Sequence, residues 1–248
     1  MITIKTEDDF AKMRHAGQVV ARILATLRAA AGPGVTLLEL DRIAAQIIQE
    51  GDCTPNFLNY RGFPANTCLS VNQELVHGIP SKRSLQDGDI LSVDAGAIHQ
   101  GWHADAAVTF AIGDIPPEVR TLIEVTERAL VVGIEHSTVG TRLGDLGHAI
   151  SLVAEPQGYG VVREYTGHGI GRQMHEDPQV LNYGRPGKGM KLREGMAICI
   201  EPMFNMGSPE TRVLDDGWTV VTADGSLCAH FEHTVAITAD GPTVLTLP

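Results

Sequence analysis

The sequence predicts an α+β domain whose two related halves share a central antiparallel sheet covered by helices. Three observations predict it. The order helix, helix, strands occurs twice along the chain. Short segments repeat in the same order: Gly34–Leu40 with Gly140–Leu146 and Gly88–Asp94 with Gly195–Glu201 at nearly the same offset, and Asp105–Phe110 with Glu232–Ile237 further on. Each half also carries a pair of acids beside apolar runs, Asp94 and Asp105 in the first, Glu201 and Glu232 in the second. The expectation is one domain over residues 1–248, with halves of approximately 1–112 and 113–248. At 248 residues one sizeable core is a better prior than two domains.

The elements follow in order. Phe10, Met13, Gly17, Val20, Leu24 and Leu27 recur at helical spacing, behind Thr6 as N-cap and acids in the first turn. A second helix starts at Thr36, where Glu39 completes a capping box; Leu40, Ile43 and Ile47 form its buried face and Gly51 ends it. From Pro55 to Ser84 the chain reads as loop, and His77 before Gly78 would by itself be a turn residue. Pro116 and Pro117 open a third helix with Val119, Leu122, Ile123, Thr126 and Leu130 inward, and a fourth follows with Leu143, Leu146, Ile150 and Val153.

The stretch from Ile90 to Phe110 reads as a β-hairpin with its tip at His99-Gln100-Gly101. A turn at His99 and Gln100 would set Asp94 directly opposite Asp105, two like charges in a position where they repel. Sharing a proton, reaching water or holding a divalent cation would each relieve that repulsion. Glu201 follows the apolar run Met196–Ile200 and Glu232 precedes Thr234–Ile237. Acids at the ends of buried strands are rarely left unpaired, so four carboxylates converging on one sheet point toward a metal.

Composition excludes other classes. A formal charge of -11 argues against a nucleic-acid groove or an anionic membrane surface as partner. No apolar run approaches the roughly 20 residues that span a bilayer. The four cysteines, Cys53, Cys68, Cys199 and Cys228, show no CxxC spacing, and the first residues carry no apolar signal segment. The expectation is a cytoplasmic protein with reduced thiols.

The glycine-rich segment Thr166–Pro178 holds His168 and His175. Their odd separation would point them to opposite faces of a regular strand, but the glycines permit a turn between them. One imidazole with several carboxylates is a mixed hard and borderline ligand set, and two ions sharing bridging acids would relieve four anions. Such two-metal sites activate water and polarise a carbonyl, the chemistry of hydrolysis. The residues thus point to a dinuclear metal hydrolase without naming its substrate.

The chain resembles the type I methionine aminopeptidases of the creatinase-like "pita-bread" family over nearly its whole length. The matching segments are Asn59-Tyr-Arg-Gly-Phe-Pro64, Cys68-Leu-Ser-Val-Asn72, Val76-His-Gly-Ile-Pro80, Asp94 with Asp105, Gly167-His-Gly-Ile-Gly171, His175-Glu-Asp-Pro178, Ile200-Glu-Pro202 and Phe231-Glu-His-Thr234. The resemblance implies that Asp105 and Glu232 bridge two divalent metals, Co, Mn, Fe or Zn, that His168 and Glu201 complete one site, and that Asp94 chelates the other. It implies that His77 hydrogen-bonds the reacting peptide nitrogen, that His175 holds the scissile carbonyl oxygen, and that Glu201 shuttles the proton. A methionine pocket would be lined by Tyr60, Phe63, Cys68, Met174 and Trp218. The implied substrates are nascent polypeptide N-termini and Met-starting peptides with a small second residue, acted on by a monomer in transient contact with the ribosome.

Three departures stand out. Many bacterial relatives carry tyrosine where Phe63 stands and an aromatic where Met174 stands; both replacements keep an apolar wall. Relatives often carry ribosome-docking lysines near Trp218, whereas Thr211–Ser226 here holds Arg212 with Asp215, Asp216 and Asp224, which argues against docking through that loop. Two rivals remain: a proline-directed peptidase of the same fold, and a non-catalytic binding protein that keeps it. The first usually has an extra N-terminal domain, and the second has lost metal ligands, all five of which are present here.

Overall fold

The helices form where their caps and stripes place them. In the computed structural model, which describes residues 2–248, α1 spans Glu7–Ala30 and α2 spans Leu37–Glu50. Each starts on a complete capping box: the Thr6 and Thr36 hydroxyls accept the Asp9 and Glu39 amides, whose carboxylates accept the threonine amides in return. Gly51 ends α2. Helices α3 (Pro117–Glu135) and α4 (Leu143–Ala154) follow, α3 with Pro117 at its first position, where the missing N–H costs nothing.

Among the described residues the main sheet has nine strands, all antiparallel to their neighbours. Its central order is Ile90–His99, Trp102–Ala111, Glu232–Thr238, Ala197–Ile200, Gly167–Gly169. Alternation along the first two strands sends Leu91, Val93, Ala95, Ala104 and Ala106 into a core with Val20, Ile23 and Leu27 of α1 and Leu40 and Ile47 of α2. A second core joins Leu122 and Leu130 of α3 and Leu146 and Ile150 of α4 to Ile198, Ile200, Val235 and Ile237. Each large apolar side chain buried in these cores contributes about 1.5–3 kcal/mol. The outcome is a rigid backing from which Asp94 and Asp105 project on the other side.

Two sequence expectations need correction. The hairpin turns at Gln100-Gly101 rather than His99-Gln100, so His99 pairs with Trp102 and Asp94 with Ala107, while Asp105 pairs with Gly96. Positive φ at both Gln100 (50°) and Gly101 (77°) is the geometry that matches strand twist in a two-residue hairpin, and glycine favours it at the second position. The two acids are diagonal neighbours, still on one face because the register moved by an even step. The stretch from Pro55 to Ser84 is not all loop: Thr67–Val71 joins the main sheet beside Ile90–His99, and Glu74–Val76 pairs with Val220–Thr222. Thr67–Val71 is buried at every position, so it lacks the apolar-polar alternation by which a half-buried strand is read.

Candidate metal centre

Five adjacent segments of the sheet each contribute one side chain to the same place. Ala107 is the pivot: Asp94 is paired across it on one side and Glu232 on the other, so the two acids flank it. Asp105 lies two residues before Ala107 on the same strand face. His233 pairs with Ile200, which brings the following Glu201 beside Glu232, and His168 pairs with Cys199 one strand further on. His168 Nε2 is 3.7 Å from Glu201 and 3.9 Å from Glu232. Thr234 locks the centre by donating its hydroxyl to the Asp105 carbonyl while accepting the Asp105 amide.

The donor set fits divalent cations. Asp94, Asp105 and Glu232 place one oxygen each within 4.8 Å of one another, as do Glu201, His230 and Glu232 with their donor atoms. Asp94 Oδ1, Asp105 Oδ1 and Glu232 Oε1 are buried with no hydrogen-bond partner, which costs free energy unless something positive meets them. In the cation-free protein, burial pushes all four carboxyls up, and neighbouring acids push in the same direction; Asp94 reaches about 7. His168 donates Nδ1–H to the Gly169 carbonyl at 2.9 Å, which leaves Nε2 with its lone pair toward the acids. Burial holds this imidazole neutral, its pKa lowered to about 3. Carboxylates that repel, with a neutral imidazole aimed among them, form a set that two-plus ions with mixed O and N preference satisfy.

The cluster is the floor of a cavity of about 370 Å3, and all twelve residues expected at the site line it. One wall is apolar: Phe63, Cys68 and Met174 pack together with Tyr60 and Trp218, and Phe63 meets Trp218 edge-on at 5.1 Å. Cys68 is there because it pairs directly with Asp94. The other wall carries the remaining histidines. His175 follows a sharp return after Gly169, where a Cβ would lie 2.1 Å from the Asp177 carbonyl. That close approach brings the His168 and His175 rings to 4.2 Å, so the glycines do turn the segment as expected. His175 Nδ1 shares a 2.9 Å hydrogen bond with the Tyr60 hydroxyl, and burial lowers its pKa. His77 stands edge-on to Tyr165 and Trp218, its pKa lowered to about 4 by burial and then by His230 and His175.

Sequence reading missed His230. Its Nε2 is 3.5 Å from Glu201, and both ring nitrogens are buried without a hydrogen-bond partner. The signal was present, since a histidine two residues before Glu232 shares its direction along an extended chain, but nothing in composition separated it from an ordinary core histidine. Asn182 was also missed; its Nδ2 donates to the Glu201 carbonyl at 2.8 Å and fixes the backbone of that acid.

Comparison with known proteins agrees with this geometry. The model of metallopeptidase family M24 matches residues 11–239. A methionine aminopeptidase of Clostridium acetobutylicum is 52% identical over 248 residues, covering 100% of this chain and 99% of the relative. Methionine aminopeptidase 1 of Bacillus subtilis is 48% identical over 246 residues, 99% of each. The crystal structure of methionine aminopeptidase from Thermotoga maritima superposes with a TM-score of 0.98 at 45% identity over the whole of both chains. A prolidase from Pyrococcus furiosus, at 22% identity and a TM-score of 0.81, covers 99% of this chain but 65% of its own and shares the fold alone.

Proposed function

The chain belongs to metallopeptidase family M24, and from that premise we propose that it removes the N-terminal methionine from proteins and peptides whose second residue is small. Its fold is the pita-bread fold expected from the sequence. The observation that carries the reading is the junction of unpartnered buried acids with an apolar wall in one cavity.

By the family resemblance Asp105 and Glu232 would serve both of two divalent ions, His168 and Glu201 would complete one position, and Asp94 the other. When bound, such ions polarise a carbonyl and lower the pKa of water. The chain's own residues do the rest. Phe63, Cys68, Met174, Tyr60 and Trp218 hold the methionine side chain, where sulfur-aromatic contacts contribute about 0.3–1.5 kcal/mol. The net charge of -11 and the acids around the metals favour a free, cationic α-amine. His175, kept in place by Tyr60, donates to the scissile carbonyl oxygen as charge develops there, and His77 hydrogen-bonds the peptide nitrogen. Glu201 accepts a proton on its carboxylate and returns it to the leaving amine. By the family resemblance the second residue packs near His77 and His175 and must be small.

Nascent chains in the cytoplasm are the substrates, met by a monomer in transient contact with the ribosome, and Asp215, Asp216 and Asp224 argue against docking through the Thr211–Ser226 loop. No helix among the described residues is long and apolar enough to cross a membrane. The test is a peptide panel read by mass spectrometry with and without chelator. Met-Ala-Ser is expected to be cleaved, and Leu-Ala-Ser, Met-Phe-Ser, Ala-Pro-Ala and formylated Met-Ala-Ser spared. Cleavage of Met-Phe-Ser or Leu-Ala-Ser as fast as Met-Ala-Ser would overturn the pocket assignment, and cleavage of Ala-Pro-Ala in its place would favour the proline-directed rival.

A further inference from the structure

Outside that cavity, His15, Cys53 and His99 each bring one donor atom to within 4.8 Å of the others. They come from three parts of the fold. His15 is on α1, Cys53 lies between the end of α2 and the strand Thr54–Pro55, and His99 closes the strand Ile90–His99. Thr54 pairs with Ile98, so the same register carried one step outward sets Cys53 across from His99. The His15 ring lies over the His99 ring at 3.9 Å, tilted by 32°.

Backbone carbonyls orient both imidazoles. His15 Nε2–H donates to Gly51 O at 2.8 Å, and His99 Nδ1–H donates to Asp52 O at 3.0 Å. Those bonds serve the last carbonyls around the C-terminus of α2, but they use one nitrogen of each ring. In these tautomers His15 Nδ1 and His99 Nε2 carry lone pairs, which is how ligating histidines are prepared by their second contact. Capping the helix end requires neither a stacked pair of rings nor a thiol beside them.

We propose that His15, Cys53 and His99 form a binding site for a thiophilic transition-metal ion, zinc above all, separate from the acid-lined cavity. Two imidazoles and a thiolate are a borderline-to-soft donor set that suits zinc and disfavours Mg, Ca and Mn. Ligand bonds of about 2.0–2.3 Å at a tetrahedral centre space the donors roughly 3.3–3.8 Å apart, so atoms already within 4.8 Å need close by only about an ångström. The fourth position falls to water. Binding exchanges the Cys53 S–H bond for an S–Zn bond and releases one proton to solvent; no electron is transferred. The ion would tie α1, the end of α2 and the hairpin tip together and stabilise them by mass action.

Cys53 makes the test direct, because Cys68, Cys199 and Cys228 are buried and Cys53 is not. The full-length protein with its catalytic metals loaded is treated with iodoacetamide, with and without added zinc, and alkylation of the Cys53 peptide is followed by mass spectrometry. Saturating zinc is expected to slow that alkylation at least about tenfold by removing the free site, chelator to restore it, and magnesium to leave it unchanged. His15→Ala and His99→Ala should each abolish the protection while retaining turnover of Met-Ala-Ser, which certifies their folding. Should either fail to fold, metal analysis of Cys53→Ser tests the same site, with one zinc per chain fewer than the unsubstituted protein expected. Zinc-independent alkylation, protection that survives both histidine substitutions, or equal zinc content in Cys53→Ser would each overturn the site.

Discussion

Asp41 and Asp105 are the same residue type at similar burial, 8% and 4% exposed, and they do opposite things. Asp41 accepts four hydrogen bonds, from the Asn66 and Thr67 amides, the Asn66 side chain and the Thr67 hydroxyl. It staples α2 to the start of the strand Thr67–Val71 and so sets Cys68 across from Asp94. Asp105 Oδ1 meets no donor, and Glu232, Asp94 and Glu201 all press on the Asp105 carboxyl electrostatically. A buried carboxylate with every oxygen answered by N–H or O–H is a fastener. One left facing other carboxylates waits for a cation, and burial alone does not distinguish the two.

Chelation sharpens this contrast most. Exhaustive metal removal should abolish turnover of Met-Ala-Ser, with Co, Mn or Fe(II) restoring it; full activity after chelation would contradict the metal reading. Asp105→Asn comes next and should lower kcat by at least the about 10²–10³ that loss of one preorganised catalytic group costs. The same substitution should raise the melting temperature of the chelated protein, because it removes one of the repelling acids. Asp41→Asn should do the reverse. It weakens charge-assisted bonds and costs about 1–3 kcal/mol in denaturant titration, yet leaves metal content and turnover of the folded fraction intact. A stabilised Asp41→Asn or a destabilised chelated Asp105→Asn would break the comparison.

His175→Ala should keep its metal content by mass spectrometry and lose about 10²–10³ in kcat; loss of metal instead would move His175 into the ligand set. The smallest effect is on pH. The Asp94 carboxyl is raised from 3.8 to about 7 in the cation-free fold, so the folded state binds more protons than the unfolded one across that window. Stability of the chelated protein from this group should therefore be greatest below 3.8 and decline as pH rises toward about 7. Metal-loaded protein should instead weaken toward acid, because the ligands must be deprotonated to bind. Thermal unfolding across that range, with and without chelator, checks the crossing; parallel curves would remove the acids from the metal site.

The helices were legible because their signals are local. Thr6 with Asp9, Thr36 with Glu39, and Pro117 each act within one turn of chain, and the structure has a helix starting at all three. The strand Thr67–Val71 was not legible, since burial on both faces erases the alternation by which strands are recognised. Lys5 and Glu176 show the same limit. They form a 3.1 Å ion pair whose side chains are 2% and 5% exposed, anchoring the residue after His175, but their contact joins distant segments and no local pattern announces it.

The sequence by itself determined the two acid pairs, the glycine-rich histidine segment and the helices that back the sheet, because these rest on residue chemistry and on periodicity within a few turns of chain. Tertiary structure decided which atoms meet. The hairpin turn shifted by one residue because positive φ at Gln100 and Gly101 fits a twisted two-residue turn, which made Asp94 and Asp105 diagonal neighbours around Ala107. His230 entered the centre, and His15 met Cys53 and His99, through pairings between strands and helices far apart in the chain. Metal sites are contacts of that kind: ligand type is written in the residue, but the distance between ligands is fixed only when the sheet closes its register.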